Sequence, residues 1–99
     1  MSLNRLELSG EFANVAELRY TPAGIPVLSF HLHHVSEQIE AGMKRKVECE
    51  VSSMVMGQLA LEAQEIEAGS RVAVSGFLAR RSLKSAQLVL HIQTLKKII

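Results

Sequence analysis

The chain has 99 residues, 47% of them hydrophobic, with eleven basic and ten acidic side chains for a formal net charge of +1. So short a chain is expected to form one domain over 1–99 and to bury about two-thirds of the surface that its unfolded form exposes. The near-neutral balance excludes a histone-like polycation, the single Cys49 excludes an internal disulfide, and no segment approaches the ~20 apolar residues of a membrane span.

The first twenty residues carry Arg5, Glu7, Glu11 and Glu17 without a continuous apolar run, so no signal peptide is expected. Leu6, Leu8 and Phe12 alternate with charged residues as in a half-buried first strand, and Gly10 predicts a bulge or bend. Thr21-Pro22-Ala23-Gly24-Ile25-Pro26 is a turn, because Pro fixes φ and Gly permits a positive one. In the second strand, Leu28, Phe30 and Leu32 face one side and Val27, Ser29, His31 and His33 the other. A polar connector is expected over Ser36–Lys44, ending in the run Lys44-Arg45-Lys46. The third strand places Val47, Cys49 and Val51 inward and Glu48 and Glu50 outward.

From about Met54 to Ile66 the period changes. Met56, Leu59, Ala60, Ala63 and Ile66 recur at three- and four-residue steps, which predicts a helix ended by Gly69. A fourth strand follows on Val72, Val74 and Leu78 with a bend at Gly76, then a basic turn over Arg80–Ser85. Leu88, Leu90 and Ile92 form the last strand. The predicted fold class is all-β: a five-stranded antiparallel OB-fold barrel with one short helix between strands 3 and 4. A different five-stranded α+β domain is the alternative. Barrel closure also removes the open edges on which so apolar a sheet would aggregate.

No motif points to catalysis. The sequence holds no Gly-rich phosphate loop, no nucleophile motif and no Asp. His31 and His33 share a face as two metal ligands could, but a site needs a third and usually a fourth. They are expected to be surface or interface imidazoles. Three basic groups remain: Arg19 before the first turn, with Tyr20 beside it as either a stacking residue or a packed turn residue; Lys44, Arg45 and Lys46; and Arg80, Arg81 and Lys84. In an OB-fold these segments rim one groove, the place where such folds take oligonucleotides. With four aromatics and no Trp, the expected binding of single-stranded DNA is weak and mainly electrostatic.

Asn4-Arg5-Leu6-Glu7-Leu8-Ser9-Gly10, the Thr21–Pro26 turn, Glu40-Ala41-Gly42, Gly69-Ser70-Arg71-Val72-Ala73-Val74-Ser75-Gly76-Phe77-Leu78 and Leu88-Val89-Leu90-His91 together resemble the primosomal replication protein N (PriB) family. The Pro-x-Gly turn and Gly-Ser-x-Val-x-Val-x-Gly strand also occur in bacterial single-stranded DNA-binding proteins. The Gly-Ile-Pro turn, the short length and the end at Ile99, without a long tail and acidic tip, favour the PriB family. A reducing cytoplasm fits the single Cys49. The resemblance implies a homodimer, with strand 1 as the expected pairing surface although the sequence does not fix it. It implies binding of single-stranded DNA, the PriA helicase and other primosome proteins such as DnaT, to help reload the replicative helicase at stalled forks. It assigns DNA contact to Arg80, Arg81 and Lys84 and to Lys44, Arg45 and Lys46, with no cofactor. Met43 and Glu48 stand where better-known members carry aromatic residues. A protein–protein adaptor with little DNA binding and a tailless single-stranded DNA-binding protein are the alternatives.

Overall fold

A computed structural model describes residues 1–98; Ile99, the chain end used in the family comparison, lies outside them. The described residues form six strands and one helix: β1 (Leu6–Ala13), β2 (Arg19–Tyr20), β3 (Pro26–Glu40), β4 (Met43–Met56), α1 (Gln58–Ala63), β5 (Arg71–Arg80) and β6 (Leu88–Lys97). The sheet order is β1-β5-β6-β4-β3-β2, and β1 also pairs with β3. Strands β1, β5, β6, β4 and β3 therefore close into the expected five-stranded OB barrel, while the two-residue β2 is an unforeseen addition at the edge of β3.

The barrel departs from the antiparallel arrangement expected from the sequence. Strands β4 and β6 run parallel, with Ser53 opposite Leu90 and Met54 opposite His91. The other neighbouring pairs are antiparallel. The cause is parity. Directions cannot alternate around a closed ring with an odd number of members, so a five-stranded barrel needs at least one parallel contact.

Two glycines make the closure possible. Strand β1 pairs with β5 from Leu6 to Glu11 and with β3 from Glu11 to Ala13, so it changes partners beside Gly10. A Cβ at Gly10 would collide with the His33 carbonyl. Gly76 sits at the register shift between β5 and β6, where a Cβ would strike the His91 carbonyl. Both predicted bends are thus points of close backbone approach.

Inward alternation fills the barrel with Phe12, Leu28, Phe30, Leu32, Val55, Val72, Val74, Leu90 and Ile92. The rings of Phe12 and Phe30 lie 4.5 Å apart, tilted by 58°, a favourable aromatic arrangement. The helix is shorter than predicted. Met54 and Met56 complete β4, and Gly57, with φ 76°, breaks the strand before α1 begins. Buried Ala60 and Ala63, with half-buried Leu59 and Ile66, pack α1 and the turn after it on the core, as the spacing requires. No helix among the described residues is long and apolar enough to cross a membrane.

The largest departure lies between β3 and β4. Instead of a loop over 36–44, the ladder runs unbroken from Val27 opposite Met56 to Glu40 opposite Met43. Ala41 and Gly42 close it with φ of 52° and 77°, the two left-handed positions that a type I′ turn demands. The result is an arm that extends past the barrel, in a molecule measuring 49 × 35 × 22 Å. Cys49 has the inward parity predicted for it but is exposed, because the barrel core does not extend beneath this part of the arm.

Candidate functional site

The outer face of the barrel holds a cleft of about 430 Å³, bordered by Asn14, Arg19, His31, Arg80, Arg81 and His91. Each arrives for a local reason. Asn14 follows β1 at φ 50°, a left-handed position that asparagine tolerates better than most residues. Arg19 is carried by β2, which pairs with the start of β3. The turn after β2 is closed by Gly24 N–H donating to Thr21 O at 2.8 Å and Ile25 N–H to Thr21 Oγ1 at 3.1 Å. Arg80 ends β5 and Arg81 opens the turn to β6, whose base is held by Arg81 N–H donating to Gln87 O at 2.9 Å. Ser29, Ser52 and Ser53 line it together with apolar Ala16, Met54 and Val89, so its surface is mixed.

The three arginines converge without partners of opposite charge. Among the described residues no carboxylate lies within 4.0 Å of Arg19, Arg80 or Arg81. Arg80 Nη1 donates to Leu83 O at 3.1 Å, which orients its guanidinium on the turn. A guanidinium cannot be neutralised in water and donates in a fork that suits phosphate oxygens. The cleft is thus suited to an anionic, extended ligand.

The other predicted residues are not gathered there. Lys44, Arg45 and Lys46 lie on β4 near the tip of the arm, not in a loop. As successive strand residues they point to opposite faces, Lys44 and Lys46 to one and Arg45 to the other. Lys44 lies 3.9 Å from Glu37, and Arg45 donates to Glu40 at 2.7 Å. Lys46 stands opposite Glu37 in the ladder. Exposed Tyr20 and Lys84 are outside the lining of the cleft, each in the same segment as one of its arginines.

The histidines divide into two kinds. His34 Nδ1 lies 2.7 Å from Ser9 O, which can only accept, so Nδ1 carries the proton; Nε2 meets Ser36 Oγ at 2.8 Å. That ring fastens β3 to β1. His33 Nε2 lies 3.0 Å from Glu48, and His31 Nδ1 lies 3.8 Å from Glu50 and 3.1 Å from the Asn14 amide. His91 stacks on Phe77 with ring centroids 5.1 Å apart and planes within 3°. It lines the cleft because β6 runs beside β4, a neighbourhood that no local pattern announces. The signal that could have found His31 is its outward parity. Among the described residues no three His, Cys, Asp or Glu side chains converge as metal ligands.

Known proteins share this architecture. Residues 4–94 match the model of a family described as another single-strand binding protein family. The replication restart protein PriB of Nitrosomonas europaea is 39% identical over 90 residues, 91% of this chain and 83% of the relative. The PriB of Bordetella pertussis is 40% identical over 96 residues, 97% and 90% of the two chains. The solved PriB of Ralstonia solanacearum superposes with a TM-score of 0.89 at 32% identity, covering 97% of this chain and 98% of that one. A small single-stranded DNA-binding protein from Streptomyces coelicolor shares the fold, with a TM-score of 0.75 at 17% identity over 100% and 96% of the chains.

Proposed function

The chain belongs to the single-strand binding protein family and, within it, to the replication restart PriB group; from that membership we propose that it is a non-enzymatic accessory protein of replication restart that binds single-stranded DNA in its arginine cleft. The observation that carries this reading is the grouping of Arg19 on β2 with adjacent Arg80 and Arg81 at the end of β5 around one cleft, where among the described residues no carboxylate lies within 4.0 Å of any of them. Phosphates track the guanidiniums. His91, backed by Phe77, is the aromatic ring nearest to a stacking platform in the cleft lining.

Binding is weak and mainly electrostatic. If about four phosphates are neutralised at a slope of about −0.7 each, affinity for a dT oligonucleotide falls roughly 50-fold between about 50 and 200 mM salt. Fluorescence titration of a labelled oligonucleotide over that range tests this. Absence of saturable binding at the low-salt end rejects the DNA role.

In this reading the protein acts in the cytoplasm as a homodimer. It engages the PriA helicase and primosome proteins such as DnaT, so that the replicative helicase is reloaded at stalled forks. Anisotropy with the purified helicase tests the first contact. Sedimentation tests the second, two chains agreeing with a dimer and four with a tailless single-stranded DNA-binding tetramer. A protein–protein adaptor with little DNA binding is the second reading. Glu48 and Glu50, exposed on β4 beside the path from cleft to arm, favour it.

A further inference from the structure

The face around the cleft is balanced in charge, and imidazoles hold the balance. Strand β1 contributes Glu11 opposite His33. Strand β4 contributes Glu48 at 3.0 Å from His33 and Glu50 at 3.8 Å from His31. Strand β2 and the β5–β6 turn contribute Arg19, Arg80 and Arg81, which share the cleft with His31 and His91. Neutral Phe77 covers one side of His91, and Met54 stands beside it in register. Farther out on the same face, Lys44 and Lys46 stand with Glu37. Three guanidiniums in the cleft and three carboxylates beside it thus share this face, with no ion pair between them among the described residues. Imidazole is the one side chain whose ordinary titration falls between about pH 5 and 8.

We propose that His31, His33 and His91 make single-strand binding at this face proton-linked, so that the protein takes up protons as DNA docks and acidification tightens the complex. The proposal rests on the single-strand reading of the cleft. Neutral rings leave Glu48 and Glu50 to repel an approaching phosphate. Charged rings offset those carboxylates at the observed distances and turn both ring nitrogens into donors, which at His31 replaces the hydrogen bond that neutral Nδ1 accepts from the Asn14 amide. A docked phosphate in turn favours the charged ring, since coupling between two binding events is reciprocal. His34 takes no part, because both of its nitrogens are engaged by Ser9 and Ser36.

The test is a titration of labelled oligo-dT, whose bases do not ionise in this range, across a salt series at about pH 6 and about pH 8. Each imidazolium that meets a phosphate should steepen the salt slope by about 0.7, which is about fivefold in affinity near 0.1 M salt. In a His31→Gln/His33→Gln double variant, and further with His91→Gln, the ratio of the two affinities should collapse toward one. Calorimetry of the unmodified chain in two buffers of different ionisation enthalpy counts the protons directly and does not depend on any variant folding. Equal affinity and slope at the two pH values, zero proton uptake, or a pH gain that survives in the variants overturns the proposal and leaves the DNA reading intact. No saturable binding at either pH removes the DNA reading and this inference with it.

Discussion

One hydrogen-bonded ladder, β3 against β4, passes through two environments. In its barrel half, Leu28 and Phe30 face Val55 and Ser53, all four buried, and Leu32 beside them is fully buried. In its arm half, Val35, Ile39 and Met43 are exposed by 50%, 67% and 71%, and the cross-strand partners are mostly charged. Pairing continues unchanged across the border. Backbone hydrogen bonds contribute modestly to net stability, whereas burial of apolar side chains contributes about 1.5–3 kcal/mol each. The barrel half therefore holds the fold, and the arm half is held by the ladder, its turn and two ion pairs at its tip.

The comparison is most sharply tested by truncating one side chain in each half. Leu32→Ala should destabilise the protein by about 2–5 kcal/mol, since it empties a fully buried site. Val35→Ala, three residues along the same strand, should stay within about 0.5 kcal/mol. Urea unfolding of the two variants reads the difference, and equal losses would mean that the arm is packed against something in solution.

The border itself lies at His33, whose carbonyl meets Gly10 where β1 changes partners. Gly10→Ala forces a methyl into backbone and should cost about 1–3 kcal/mol. If its unfolding midpoint matches that of the unmodified chain, the close approach that closes the barrel is absent.

How much of this the sequence shows follows from the same division. Wherever a strand has one buried face, as around Leu28, Phe30 and Leu32 or Val72 and Val74, the alternation reveals it. An arm surrounded by water has no such face, so Ser36–Lys44 reads as a connector although every residue outside its two-residue turn is paired. Ala41-Gly42 hides the turn as well, because the usual signal is Asn-Gly or Asp-Gly. Met56 fits helical spacing as well as strand alternation, and its pairing with Val27 in the ladder, ended by the positive φ at Gly57, decides between them. The parallel contact of β4 and β6 was implicit in a closed ring of five. In the cleft, Arg19, Arg80 and Arg81 were legible as basic segments of an OB-fold, whereas His91 needed the knowledge that β6 borders β4.

Charge divides the two halves as burial does. Arg80→Ala with Arg81→Ala removes guanidiniums that have no ion-pair partner among the described residues, and should flatten the salt dependence of oligo-dT binding by about 1.4, two contacts at about 0.7 each. Lys44→Ala with Lys46→Ala removes ammonium groups that already face Glu37. These exposed pairs are worth little, so the arm variant should change affinity several-fold less. A larger loss from the arm would relocate the DNA path to the hairpin tip.

The smallest expected effect is a gain. Ala41 holds φ 52° beside Gly42 at 77°, and a left-handed alanine is unfavourable by about 1–2 kcal/mol because its Cβ crowds the following carbonyl. Asparagine tolerates that region and is the favoured partner of glycine in this turn. Ala41→Asn should therefore stabilise the arm by about 0.5–1 kcal/mol. The gain should be confined to the arm, since its opening leaves the barrel core covered. Hydrogen exchange at the paired amides between Val35 and Val47 should slow by about two- to fivefold. Exchange at Leu28, Phe30 and Val55 should not change. Slowing of both groups together would mean that arm and barrel open as one unit, and the contrast between the two halves of the hairpin would then be one of burial alone, not of stability.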